Sequence, residues 1–291
     1  MTKQRIVCVL GMHRSGTSLL ARLLNLLGVE LGENHLLNNE PVSANPKGHW
    51  EHRELSAIND ALLDHYGGTW DKPPQFPSGW QNDPALYDLR LRAHTLVNDQ
   101  FRDHKLWGWK DPRTCLTLPF WQELLDELHY LICLRHPVSV ARSLALRDNF
   151  SEEKSLYLWL TYLSSALQCS RGKPRLLVFY QDLIEEKQRS LAMLAEFIGS
   201  TERANDVSVK NAADEFTELG LQHHSEESAR TNSQLEPSAQ SLYSYLRKAR
   251  SFDHVSESQL AVQLVEIETL LQQFRNRNSW RLLRALKRWQ Q

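Results

Sequence analysis

The sequence is poor in cysteine, with four in 291 residues, Cys8, Cys115, Cys133 and Cys169, far apart and without CxxC spacing. That excludes a disulfide-stapled scaffold and a thiolate zinc site, and it fits reduced thiols. The twelve histidines include no HExxH and no Cys/His cluster, so no metal-ligand set is expected. No stretch reaches the roughly 18 uncharged apolar residues that span a bilayer. Met1 to Arg5 runs into a short apolar stretch with no secretion-type apolar core or small-residue cleavage site, which predicts a cytoplasmic protein. An excess of charge of one sign is also missing: 34 Lys and Arg face 35 Asp and Glu, a net charge of -1. A chain that wraps nucleic acid by bulk charge is thereby excluded. With 41% apolar residues the sequence is neither disordered nor fibrous and can bury a sizeable core.

Ile6 to Leu10 is an unbroken apolar run ended by Gly11 and reads as a strand buried on both faces, the mark of a parallel sheet. From Ser15 the spacing changes to Leu19, Leu20, Leu23, Leu24 and Leu27, a helical stripe stopping near Gly28. The alternation returns with β-like runs at 106–110, 130–134 and 176–180, each followed by a helix-compatible segment. The expected fold is therefore α/β. Between the first and second units, residues 30–82 hold Pro41, Pro46, Pro73, Pro74 and Pro77 with Trp50, Trp70 and Trp80, an irregular segment suited to a lid or acceptor wall. After residue 200 the sequence reads as polar loop to about Pro237, so the expected division is an α/β domain at 1–225 and a helical C-terminal extension at 226–291. In that extension Leu260, Leu264, Ile267, Leu271 and Phe274 form a two-heptad seam that can pack on the core or on a second copy as a homodimer. Beyond Phe274, six basic residues and no acid flank a Leu282, Leu283, Leu286, Trp289 stripe, a basic amphipathic helix that fits peripheral membrane contact as well as it fits a solvated end.

Gly11-Met12-His13-Arg14-Ser15-Gly16-Thr17-Ser18 lies where a phosphate loop belongs, between a buried strand and a helix. Backbone N–H groups and the positive end of the helix dipole converge on an anion there, and Gly16 lets the backbone approach closely. The Gly11 to Gly16 spacing is that of a nucleoside-triphosphatase loop, but Thr17 stands in place of its lysine and Arg14 supplies the cation. The runs at 106–110 and 130–134 lead into Lys110 and Arg135, cations where a triphosphatase would carry a magnesium-holding acid. A metal-independent anion site follows. Pro137, two residues after Arg135, is placed to start a helix that carries Ser143 about two turns in, which makes Arg135 and Ser143 a candidate second anion site.

These segments resemble the sulfotransferases that use 3′-phosphoadenosine 5′-phosphosulfate (PAPS) as donor. Residues 13–18 are similar to the family's 5′-phosphosulfate loop, and Arg135, Pro137 and Ser143 to its 3′-phosphate motif. Tyr180-Gln181-Asp182-Leu183 resembles a Tyr-Glu-Asp-Leu segment whose tyrosine lies near the adenine, with Gln181 departing from it. Residues 109–113, Trp-Lys-Asp-Pro-Arg, resemble a Lys-Asp-Pro segment whose lysine assists transfer, and residues 45–51 resemble a segment of bacterial members with carbohydrate-type acceptors. The resemblance implies a P-loop-like three-layer α/β/α fold with a central parallel sheet. It further implies donor binding by Arg14, Ser15, Gly16, Thr17, Ser18, Arg135, Ser143 and Tyr180, catalytic roles for Lys110 and Arg14, and no metal.

Sulfuryl transfer develops negative charge on the departing bridging oxygen, which Arg14, Lys110 and the hydroxyls of Thr17 and Ser18 suit, and it needs a base for the acceptor proton. Glu33, Glu40, His49 and Glu51 are open for the base. Glu51 is preferred, since an aromatic neighbour and burial raise a carboxylate's proton affinity. The expected function is transfer to a hydroxyl acceptor, a glycan or glycolipid precursor. The alternatives are an ATP-dependent phosphotransferase with a degenerate loop and a catalytically idle nucleotide-binding module in polysaccharide assembly.

Overall fold

The computed structural model describes residues 4–41, 48–218 and 233–288, of which 217–218 and 277–288 are described in backbone only. In chain order the elements begin with β1 (Arg5–Leu10), α1 (Thr17–Leu26), α2 (Arg53–His65), α3 (Tyr87–Phe101), β2 (Leu106–Lys110), α4 (Thr114–Leu124) and β3 (Leu128–Leu134). They continue with α5 (Pro137–Asp148), α6 (Glu152–Cys169), β4 (Arg175–Phe179), α7 (Tyr180–Glu185), α8 (Lys187–Ile198), α9 (Thr201–Ala204), α10 (Val207–Glu218), α11 (Glu236–Ala249) and α12 (Glu257–Arg288). The four strands form one parallel sheet in the order β2-β1-β3-β4. Helices cover both faces, which is the P-loop-like α/β architecture.

The alternation of side chains along β1 divides the core. Ile6, Cys8 and Leu10 face one hydrophobic layer with α4, α5 and α6, and Val7 and Val9 face another with α1 and α8. Both faces are dry, which is why this strand is apolar throughout. The chain leaves β1 for β2 on one side and returns to β3 on the other, so the strand order reverses at β1. The loop after β1 therefore opens at a topological switch point, the crevice outside the carboxyl ends where parallel sheets bind ligands.

Three expectations change. The stretch 30–82 is not irregular throughout, because α2 lies inside it, its Leu55, Ile58, Leu62 and Leu63 buried in the core. The stretch after residue 200 is helical as far as it is described before residue 219, since α10 buries Val209 and Ala213 with the α1 layer. The apolar run at 176–180 stops pairing at Phe179, and Tyr180 begins α7. The heptad seam of α12 turns inward: Leu260, Leu264, Ile267 and Leu271 are buried in the same core as α6 and α11. The expected boundary near 225, His223 and His224, residues 45–47 and the side chains of the basic tail lie outside the described residues. Among the described residues no helix is long and apolar enough to cross a membrane.

Candidate active site

Each strand ends in a residue singled out by the sequence, and the sheet order sets them side by side: Lys110 on β2, the 11–16 loop after β1, Arg135 after β3 and Tyr180 after β4. At about 4.8 Å between strands, the row from Lys110 to Tyr180 spans roughly 14 Å.

The loop is held from below and beside. Gly11 N–H donates to Cys115 Sγ at 3.1 Å, Ser15 N–H donates to the Met12 carbonyl at 3.1 Å, and the Cys133 thiol donates to the Ser15 carbonyl at 3.1 Å. Burial pushes the Cys115 and Cys133 thiols up to about 12, so both remain thiols and can make these contacts without charge. Gly16 caps α1 at φ 93, and a Cβ there would lie 2.3 Å from the Tyr180 ring. That is a close approach only glycine permits. Helix α1 begins with no acid in its first turn and no side-chain cap bond, so its N-terminal dipole is not met by a carboxylate of its own first turn.

The two anion motifs meet at Arg14. Its Nε donates to Ser143 Oγ at 2.9 Å, and Arg135 Nη1 donates to the Arg14 carbonyl at 3.2 Å. The Arg135 guanidinium also sits 4.6 Å from the Tyr180 ring centroid. Burial, with Arg147 and then Arg135 nearby, pulls the Arg14 guanidinium below its ordinary value. Asp148, which accepts from Arg147 Nε at 2.7 Å, opposes part of this repulsion, and cations gathered this closely favour an anion beside them. Arg147 was not singled out by the sequence. It stands one turn past Ser143 on α5, on the same helical face, which is the signal that could have found it.

A second cluster lies at the β2 end. Lys110, only 2% exposed, donates from Nζ to Glu51 Oε1 at 2.6 Å, and Arg113 Nη2 donates to Glu51 Oε2 at 3.2 Å. Arg113 Nε also donates to Asp111 at 2.9 Å and its Nη1 to Asp60 at 2.9 Å. Burial alone would lower its proton affinity, but Asp111, Glu51 and Asp60 outweigh that and hold it raised. Asp111 in turn accepts from Asn59 Nδ2 at 2.8 Å, while Asn59 Oδ1 accepts from Thr117 at 2.6 Å and Trp121 at 2.8 Å. Asn59, fully buried in the middle of α2, was missed because the helix around it was missed.

Of the four candidate bases, Glu33 and Glu40 are exposed. His49 is half-buried and its backbone is held near α1, its carbonyl accepting from Ser18 Oγ at 3.1 Å. Burial lowers its ring's proton affinity; Glu51 opposes that, and Lys110, Arg147 and Arg14 add to it. Glu51 is the one in contact with Lys110. Of the three tryptophans in the wall, Trp80 is buried against Tyr66 and Phe76, and Trp50 packs against Arg22 and Phe216. Trp70 alone of these lies against the loop, its ring centroid 4.5 Å from that of His13. Among the described residues, no three His, Cys, Asp or Glu side chains are grouped to hold a metal ion.

Fold and site together define a P-loop-like α/β protein with arginines and a lysine gathered at the switch point of its sheet. Residues 7–203 match the sulfotransferase family, and the chain belongs to it. Among solved structures it is similar to the sulfotransferase domain of the olefin synthase of Synechococcus PCC 7002, at 20% identity and a TM-score of 0.50 over 84% of this chain and 96% of that one. It is also similar to sulfotransferase STF9 from Mycobacterium avium, at 10% identity and a TM-score of 0.48 over 85% of this chain and 77% of that one. No curated protein matches the sequence.

Proposed function

We propose that the protein transfers a sulfuryl group from PAPS to a hydroxyl of a carbohydrate acceptor, a glycan or glycolipid precursor. The observation that carries this reading is the order of the strand ends. Tyr180 and Arg135 lie at one end of the row, the loop in the middle, and Lys110 with Glu51 at the other end. A nucleotide with phosphates at both ribose ends has matching polarity: base at Tyr180, 3′-phosphate at Arg135 and Ser143, 5′-phosphosulfate on the loop. The residues fit such a group, since the loop's amides, an α1 N-terminus without a first-turn acid and the Arg14, Arg135 and Arg147 cluster are all built for anions.

PAPS supplies the sulfuryl group and a nucleotide that departs with the developing charge. Arg14 and the loop amides, with Thr17 and Ser18, stabilise that charge where it appears. Glu51 Oε1 takes the acceptor hydroxyl's proton as attack proceeds. Once protonated, Glu51 no longer pairs strongly with Lys110, which frees the ammonium to turn to the leaving oxygen. The lysine is thus released at the moment its charge is needed.

Thermal unfolding with adenosine 3′,5′-bisphosphate beside ATP plus magnesium tests the donor class. A ligand at 100 times its dissociation constant stabilises by about 2.7 kcal/mol. Stabilisation by the bisphosphate and not by ATP is the expected result. Stabilisation by ATP and magnesium alone would overturn the reading in favour of phosphotransfer.

A further inference from the structure

Helix α12 changes character along its length. As far as Leu271 it is a core helix, with Leu260, Leu264, Ile267 and Leu271 buried beside α6 and α11. Phe274 then stacks on Tyr157 at 5.0 Å, and Arg275 turns back to Glu268 at 2.6 Å and Gln272 at 2.7 Å. Continued at the same spacing, the seam would run through Asn278, Arg281, Ala285 and Arg288, so the pattern that packs this helix on the core stops at Phe274. The helix itself runs on to Arg288. A helix is stabilised mainly by what its apolar stripe packs on, and beyond Phe274 the sequence supplies a different stripe.

Glu268 is the last acidic residue of the sequence, and Arg275, Arg277, Arg281, Arg284, Lys287 and Arg288 follow it. None of the last five has an acidic residue within four positions, so no ion pair along the helix offsets their charge. The whole chain is net -1, which makes the remainder acidic and concentrates the positive charge here. At about 100° per residue, Leu282, Leu283 and Leu286 share an arc of about 100°, while Arg277, Arg281, Arg284, Lys287 and Arg288 share an opposite arc of about 120°. Trp280 falls near the border between them, a place suited to an indole, apolar in body and polar at its N–H.

The two arcs together call for a partner that is anionic in one layer and apolar in the next. A nucleic acid offers the charge and has no use for the leucines. A second copy of this chain offers leucines and brings the same positive charge. A bilayer with anionic lipids offers both, phosphates outside and acyl chains beneath. We propose that residues 277–288 of α12 lie in the surface of such a membrane, the leucine arc taken up by the acyl region and the basic arc by the headgroup phosphates. The contact is peripheral, since among the described residues no helix is long and apolar enough to cross. It does not depend on the sulfotransfer reading; where that reading also holds, it brings the enzyme to the surface that carries a lipid-linked acceptor.

The test is flotation of the full chain with vesicles of phosphatidylcholine alone and of phosphatidylcholine with phosphatidylglycerol. Beside it are floated a triple variant, Arg281→Gln with Arg284→Gln and Lys287→Gln, and a double variant, Leu282→Gln with Leu286→Gln. The unaltered chain is expected to bind the anionic vesicles and not the neutral ones. Binding should weaken on the order of a hundredfold in the triple variant, at about fivefold per charge, and at least about tenfold in the double variant. Raising the salt from about 0.1 to about 1 M should also weaken it. No binding of the unaltered chain to anionic vesicles, or binding that the triple variant retains, would overturn the proposal. So would loss in the triple variant with full binding in the double variant, because charge alone would then suffice, as it does for a nucleic acid or an acidic protein. Urea unfolding without vesicles supplies the last check. All three proteins are expected to share one midpoint, since the substituted residues lie past the buried seam. A lower midpoint for the double variant would mean that these leucines pack on the protein itself, which would also overturn the proposal.

Discussion

A double-mutant cycle on Lys110 and Glu51 tests the centre of the site. The pair is short, 2.6 Å from Nζ to Oε1, and the two side chains are 1% and 10% exposed. Removing one partner of such a pair leaves a buried charge and costs about 3–5 kcal/mol. Glu51→Gln should lie in the upper part of that range, because Lys110 keeps no other carboxylate partner among the described residues. Lys110→Met should lie near the lower end, because Arg113 still donates to Glu51 at 3.2 Å. The double variant removes both charges, and Arg113 retains Asp111 and Asp60. It should therefore cost less than the two single losses together, by about 2–3 kcal/mol of coupling. Urea unfolding at pH 7 without nucleotide measures all four corners. Additivity within about 0.5 kcal/mol would refute the reasoning, since it would mean that the lysine and the carboxylate do not sense one another.

Gly16→Ala should cost about 1–3 kcal/mol and abolish stabilisation by adenosine 3′,5′-bisphosphate, since residue 16 sits at φ 93 with the Tyr180 ring 2.3 Å from the added carbon. A variant of unchanged stability and affinity would contradict that packing. Burial lowers the proton affinity of His13, His49 and His52 below 6.5, so below that pH the unfolded chain binds more protons than the folded one. Stability should rise with pH through about pH 5.5–6.5, by at most ~1.4 kcal/mol per unit for each histidine and less for half-buried His49, and then level off. Urea midpoints that do not change across this window would contradict it. Thiol titration with an aromatic disulfide should find Cys8, Cys115 and Cys133 unreactive in the folded protein and all four cysteines reactive in urea, because the first three are buried and their thiols are held protonated. Rapid reaction of Cys115 before unfolding would mean that the loop it supports is open.

What the sequence showed of the site was the part written in neighbouring residues. The loop 11–18 is legible because strand, glycine, hydroxyls and helix follow one another, and Ser143 because Pro137 starts its helix. Helix α2 was hidden by the prolines around it, although Leu55, Ile58 and Leu62 keep helical spacing within it. Other contacts join residues that no local pattern relates. Arg14 meets Ser143, Lys110 meets Glu51, and Arg113 ties Glu51 to Asp111. These pairings follow from the strand order, because exchanging β2 and β3 around β1 would move Lys110 next to Tyr180 and carry Arg135 to the far edge of the sheet. Strand order is set by crossovers packing over the whole core, and every strand here is apolar enough to occupy a central position. The motifs name the candidate residues, then, while their order along the site, Tyr180 and Arg135 at one end and Lys110 with Glu51 at the other, exists only once the sheet is assembled.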